Sequence, residues 1–211
     1  GVDGVVASEG GPRGWHVAAA DLPWALGLPD PLPSARIAPL PERTAAMAER
    51  LAAFGPSPCL AVSWRLGMPA HVIPLEEIGR ALADRDIRVA VPQSDLSDEE
   101  RARLVAALGR PVLDCSDMAG DVEDLLALLS LVDGIVAVGG PAIHLRAAVG
   151  GGGHILASRS PDFRWMEKGE RSPWFPTMAL HRQDSRGRWD AAAKTLGEAL
   201  DAARFDPSRS R

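Results

Sequence analysis

The sequence predicts an α/β domain: a parallel sheet with helices on both faces, preceded by an irregular, proline-rich segment. Three observations predict it. From Cys59 onward, short apolar runs alternate with amphipathic helical stretches to the end of the chain. One of those runs, residues 134–138 (Gly-Ile-Val-Ala-Val), is almost wholly apolar, as a strand buried on both faces must be. Before Cys59, by contrast, Gly10-Gly11-Pro12 and the prolines Pro29, Pro31, Pro33, Pro39 and Pro41 oppose regular elements. The expected organisation is therefore residues 1–58 as an irregular segment with one helix, and 59–211 as the sheet domain.

Taken in order, residues 16–28 read as a short packed stretch anchored by Trp15 and Trp24. Ala46, Met47, Arg50, Leu51 and Phe54 recur at helical spacing over 42–54, and Gly55-Pro56 stops that helix. The first strand is 59–64 (Cys-Leu-Ala-Val-Ser-Trp), followed by a helix burying Leu75, Ile78, Gly79 and Leu82. The second strand is 88–92. Ser97 then caps a helix whose first turn, Asp98-Glu99-Glu100, suits the positive end of the helix dipole. The third strand is 111–114, and the next helix buries Val122, Leu125, Leu126, Leu129 and Val132. Strand 134–138 runs into a Gly-Gly-Pro turn and a helix over 142–149; a strand follows at 154–157. A last strand near 178–181 leads to a helix with Trp189, Ala192, Ala193, Leu196 and Leu200 on its buried side. No repeat of 20–50 residues is present.

Composition excludes several classes of function. The 211 residues are 46% apolar and 24% charged, enough to bury a core without disulfides or metals. A net charge of -5 argues against broad electrostatic binding to nucleic acid or anionic membrane. No apolar run reaches the ~20 residues a membrane span needs. Cys59 and Cys115 lie in apolar strand-like runs without partners at metal-ligand spacing. They read as single buried thiols of a cytoplasmic protein. Scarce lysine (Lys168 and Lys194) beside abundant Arg and Ala suggests a GC-rich bacterial genome. The opening Gly-Val-Asp-Gly, without Met or a signal segment, reads as a cut inside a longer protein.

Ligands of open α/β sheets settle beyond the carboxyl ends of the strands. Two loops there are candidates. In 65–71 (Arg-Leu-Gly-Met-Pro-Ala-His), Arg65 can offer its fork to a phosphate and Gly67 permits close backbone approach; the alternative is a plain β–α loop with a solvated Arg65. In 139–144 (Gly-Gly-Pro-Ala-Ile-His), Gly139 and Gly140 bring backbone amides near a ligand and Pro141 suits the first helical turn. His144, one turn in, can donate to a phosphate or sugar oxygen. Such a turn also serves simple packing.

These residues resemble a known family. The run Asp133-Gly-Ile-Val-Ala-Val-Gly-Gly-Pro-Ala-Ile-His144-Leu is similar to the strand–turn–helix of heptosyltransferase-like glycosyltransferases (family 9), usually Asp-Leu-Val-Ile-Ser-Val-Asp-Thr-x-x-x-His-Leu. Residues 161–183 hold Asp-Phe-Arg-Trp, Ser-Pro-Trp-Phe-Pro and His-Arg-Gln. They resemble the Asp-Trp-Arg-Trp, Ser-Pro-Trp-Tyr-Pro and Phe-Arg-Gln of related domains that end bacterial tetratricopeptide-repeat proteins; Trp189 matches a Trp that follows. The resemblance covers residues ~59–203 by element order, and the second motif is its specific part.

The resemblance implies the C-terminal, donor-binding half of a GT-B fold, itself Rossmann-like. It implies transfer of a sugar from a nucleotide-sugar to a protein or glycan acceptor, with an upstream repeat domain on the acceptor side. It places Gly139, Gly140 and His144 at the donor phosphates, and Trp165, Ser172, Pro173 and Trp174 in a loop near the donor cleft. Core packing is the competing account of the two tryptophans, and a surface ion pair that of Arg164. No metal and no cofactor are expected beyond the nucleotide-sugar as co-substrate. Two departures stand out: Gly139-Gly140 replace the family's Asp-Thr, and Arg65 follows Trp64 where the family has Gly. The alternative is therefore a catalytically degraded domain serving as a binding or scaffold module. Asp162 and His71 are candidates for general base by position alone. A hydrolase is disfavoured, since no Gly-x-Ser-x-Gly follows a strand.

Overall fold

The computed structural model describes residues 17, 22–27, 36–56, 58–66, 72–118 and 120–203. Two compact units divide the chain, Gly1–Pro33 and Ser34–Arg211. In the first, the backbone makes one helical turn, α1 (Leu22–Ala25), closed by the Leu26 amide donating to the Leu22 carbonyl at 2.9 Å. The expected anchoring side chains of Trp15 and Trp24 lie outside the described residues.

The second unit opens with α2 (Pro41–Phe54), which has proline in its first turn and is ended by Gly55 at φ 124°. Six strands follow: β1 (Cys59–Ser63), β2 (Arg88–Val91), β3 (Leu113–Asp114), β4 (Gly134–Ala137), β5 (Gly153–Ala157) and β6 (Met178–Arg182). All pair in parallel in the order β3-β2-β1-β4-β5-β6. Between them run α3 (Leu75–Leu82), α4 (Asp98–Leu108), α5 (Val122–Leu131) and α6 (Pro141–Ala148), and α7 (Asp190–Ala202) follows β6. The architecture is the Rossmann-like parallel sheet with helices on both faces that the alternating pattern predicts.

Side-chain alternation divides the strands between two cores. Cys59, Ala61, Ala90, Ile135, Ala137, Ile155 and Ala157 face α2, α5 and α6, whose Met47, Leu51, Leu125, Leu128 and Ile143 close that layer. Leu60, Val62, Val89, Val91, Val136 and Leu156 face α3, α4 and α7 through Ile78, Leu82, Leu104, Leu108, Leu196 and Leu200. Of these strand residues, the alanines and Cys59 fall on the first face beside Ile135 and Ile155, while those on the second are all leucines and valines. Gly79 lets α3 lie close to α4: a Cβ there would come within 2.5 Å of the Ala107 carbonyl oxygen.

Local chemistry sets the helix starts. Ser97 and Glu100 form a reciprocal capping box for α4, and Gly109 ends it in the left-handed conformation. Asp121 accepts from the amides of Glu123 and Asp124 to start α5. One expectation is corrected here. Val122 is 62% exposed rather than buried, because it stands in the first turn of α5 at the rim of the cleft described below. Cys59 and Cys115 are free and buried, and burial pushes their thiols up to about 11 and about 12. Among the described residues no helix is long and apolar enough to cross a membrane.

Candidate functional site

Strand order reverses between β1 and β4: the chain leaves β1 toward β2 and β3, then returns to β4 on the other side. The loops after β1 and β4 therefore diverge, opening a crevice at their carboxyl ends. A cavity of about 570 Å³ lies there, lined by residues including Leu66, Val122, Gly139, Gly140, His144 and Trp165. That volume falls within the range of small-ligand sites. A second cavity of about 250 Å³ adjoins it, lined by residues including Ser63, Arg65, Gln93 and Asp95. Leu66, Gly139 and Pro141 line both.

The turn between β4 and α6 needs its glycines. Gly139 has φ 140° and Gly140 φ 87°, backbone that L side chains rarely adopt. A Cβ on Gly140 would come 2.6 Å from Cδ2 of Leu66, and one on Gly139 3.2 Å from its Cδ1. The close neighbour the two glycines admit is thus a leucine of the β1 loop. Amides of Gly139, Gly140 and Ala142 donate to no acceptor among the described residues. Gly139 and Gly140 line the larger cavity and Ala142 the smaller one.

His144 is exposed at the cleft and meets the Phe175 ring edge-on at 5.0 Å. Partial burial, then the nearby Arg164 charge, lower its pKa against an opposing pull from Asp162. The imidazole is neutral near pH 7, with one N–H and one lone pair, and neither ring nitrogen has a partner among the described residues. Asp162 caps the 3-10 turn Phe163–Trp165 and pairs with the Arg164 guanidinium at 2.9 Å, which stacks on Phe163 at 4.4 Å. Burial alone would raise the Asp162 pKa, but hydrogen bonds from the Arg164 amide and guanidinium carry it below the ordinary value. A carboxylate held this way is a poor proton acceptor and a good support for Arg164. His71, the other candidate base, and Gly67 lie outside the described residues.

The remaining candidates fall in different places. Trp165 is buried, packing against Phe175 at 5.2 Å beneath Gly139. Trp174 is half-buried and meets Phe163 edge-on. Ser172 is 1% exposed; its hydroxyl donates to the Arg164 carbonyl at 2.6 Å and accepts from the amides of Trp174 and Phe175. It joins the two halves of the loop that carries Trp165. Arg65 grips Glu100 through two nitrogens, at 2.8 and 3.2 Å, and also donates to the carbonyls of Ser94 and Asp95. Glu100 responds with a pKa of about 2, set first by that hydrogen bond from Arg65. Its fork thus pins the β2 loop to the β1 loop.

Three residues had no role in the sequence reading. Arg182, on β6, donates to the carbonyls of Trp165, Met166, Lys168 and Gly169 and so gathers the 165–169 segment at the cleft wall. Gln183 continues this by accepting from the Arg159 amide and donating to the Gly187 carbonyl. The Arg-Gln pair of the second motif is therefore a loop clamp. Gln93, two residues past β2, lines the smaller cavity. Among the described residues, no group of three or more His, Cys, Asp or Glu could hold a metal ion.

No family model and no curated protein matches the chain. Among solved structures, it is similar to a family 9 glycosyl transferase from Veillonella parvula DSM 2008, with 12% identity and a TM-score of 0.62, over 86% of this chain and 50% of that one. It is also similar to the ADP-heptose lps heptosyltransferase II of E. coli, with 17% identity and a TM-score of 0.57, over 84% of this chain and 56% of that one. At such identities the likeness is one of fold, the Rossmann-like layer structure of the GT-B type. This chain spans about half the length of those structures.

Proposed function

We propose that the chain is the donor-binding part of a metal-independent glycosyltransferase, which holds a nucleotide-sugar in the larger cavity and passes its sugar to a protein or glycan acceptor. The observation that carries this reading is a neutral, unpartnered His144 lining one cavity with Gly139 and Gly140, whose amides are partnerless among the described residues, at the switch point of a parallel sheet. The likeness in fold to two sugar transferases supports it. In this reading the amides and the α6 dipole meet the diphosphate, His144 donates to a phosphate or sugar oxygen, and Arg164 offsets the charge of the leaving nucleotide.

A second reading is a binding module without turnover. Leu66 seated against both glycines, which the resemblance assigns to the donor, and the Arg65 fork closed on Glu100 rather than open to a phosphate favour it. Thermal unfolding with UDP-, GDP-, ADP- and CMP-linked sugars tests the first reading. A bound donor at ~100 times its Kd stabilises the fold by about 2.7 kcal/mol, and His144→Ala reduces that gain without changing the midpoint of the free protein. Silence toward every donor opposes the first reading and favours a degraded donor site. Stabilisation by a donor that is never hydrolysed or transferred selects the binding module.

A further inference from the structure

Gln93 sits at the carboxyl end of β2, next to the switch point, and is only 4% exposed. Its carboxamide orientation follows from its neighbours. Oε1 accepts from the backbone amide of Arg65 at 3.3 Å, and an amide can only donate, so this atom is the oxygen. The Ser63 hydroxyl lies 3.0 Å from the same atom. The opposite end is the NH2 group, two donors that meet no acceptor among the described residues. Arg110 Nε is the one fully enclosed side-chain nitrogen or oxygen among those residues that lacks a partner. Gln93 Nε2 therefore keeps an opening, and the opening of so buried a residue is the 250 Å³ cavity it lines. The NH2 group of this 4% exposed residue is thus open to a partner entering the cavity.

The surroundings restrict what completes it. Arg65 is neutralised by Glu100, and Asp95 adds a carboxylate at the cavity mouth. An anion is disfavoured there, whereas a neutral oxygen acceptor fits both donors. Asp95 is also one of two non-glycine residues with positive φ among those described, at 54°, and its carbonyl is held by Arg65 at 2.7 Å. This loop is held in a costly conformation beside the cavity.

We propose that Gln93 is a specificity-determining residue: its NH2 group reads a neutral oxygen, a hydroxyl or carbonyl, on the part of the ligand that enters the smaller cavity. Because Leu66, Gly139 and Pro141 border both spaces, one extended ligand spans them, with its charged part beside His144 and Arg164 and its uncharged part over Gln93. The inference rests on the donor-site reading only for the ligand's identity.

The chain suits a direct test, having two glutamines, Gln93 and Gln183, and no asparagine. A 15N spectrum of the whole chain thus holds two carboxamide pairs, and Gln183, closed on the Gly187 carbonyl, is the internal reference. Titrants are the nucleoside diphosphates, their sugar conjugates, the nucleosides and free monosaccharides. The expected result is a saturable shift of the Gln93 pair with the Gln183 pair unmoved. Gln93→Glu, which keeps the acceptor for Arg65 and Ser63 but loses the donors, weakens the same ligand at least about tenfold. A response to the diphosphate alone assigns the oxygen to the base or ribose; a response only to sugar-bearing ligands assigns it to the sugar. A nucleotide-sugar that stabilises the protein without moving the Gln93 pair overturns this proposal and leaves the donor site standing. A Gln93 response to a free sugar or nucleoside, with none to any nucleotide-sugar, upholds Gln93 and removes the donor reading. A spectrum in which no titrant moves the pair overturns it outright.

Discussion

Acid should strike this fold through a buried pair of histidines. His154 Nδ1 lies 3.0 Å from His181 Nε2, and His181 Nδ1 lies 3.0 Å from the Thr195 hydroxyl, which itself donates to the Ala192 carbonyl. With that hydroxyl proton engaged, His181 must donate from Nδ1; its Nε2 then accepts from His154. The chain of hydrogen bonds runs one way and requires His181 neutral, since its Nε2 must accept. Burial lowers both pKa values to about 4, the charge of each ring further opposing the other at His181. Because the folded values lie below the unfolded value near 6.5, the unfolded chain takes up protons first. Stability is complete above pH 6.5 and declines as pH falls toward 4. Each pKa unit corresponds to about 1.4 kcal/mol, so each ring costs on the order of 3 kcal/mol across that window. Urea unfolding between pH 7 and 4.5 measures this, with His154→Leu/His181→Leu as the partner protein. The double variant removes both titrating groups together and leaves the Thr195–Ala192 bond intact. Because both rings are absent from the variant, wild type should lose stability more steeply than it by about 2–3 kcal/mol per pH unit below pH 6. Parallel curves for the two proteins would refute the reasoning.

Three further outcomes follow from the geometry. Gly140→Ala forces a side chain into left-handed backbone and against Leu66, so it should destabilise by about 1–3 kcal/mol in urea; adding Leu66→Ala recovers the contact but not the strain. Arg182→Met frees the carbonyls of residues 165–169, and limited proteolysis should then cut within that segment while α7 and the sheet stay protected. Arg146 is 7% exposed and donates to the carbonyls of Leu129, Asp133 and Gly152; Arg146→Met leaves three acceptors unpaired and should cost about 2–5 kcal/mol, read as a lower urea midpoint.

Most of the fold was legible in the chain because its signals are local. Strand and helix periods, the Ser97–Glu100 box and the glycine stops act within a few residues of one another, and each falls within a residue or two of the element it announces. Val122 misled for the same reason: its helical spacing is that of a buried residue, and only the cleft beside it explains its exposure.

The candidate site was legible in part. The Gly139-Gly140 turn and His144 could be picked out because a glycine pair after an apolar strand is a local pattern. What surrounds them was not. Leu66 lies against Gly140 across 74 residues of chain, Gln93 takes up the Arg65 amide across 28, and Arg182 reaches Trp165 across 17. Nor could the sequence show that Ser172, expected in a loop near the donor cleft, ties that loop to the Arg164 carbonyl. The sequence by itself determined which segments become strands and helices, and that both sheet faces are covered. Which loops meet was decided only when β4 paired beside β1, because strand order is a property of long-range packing that no local pattern encodes.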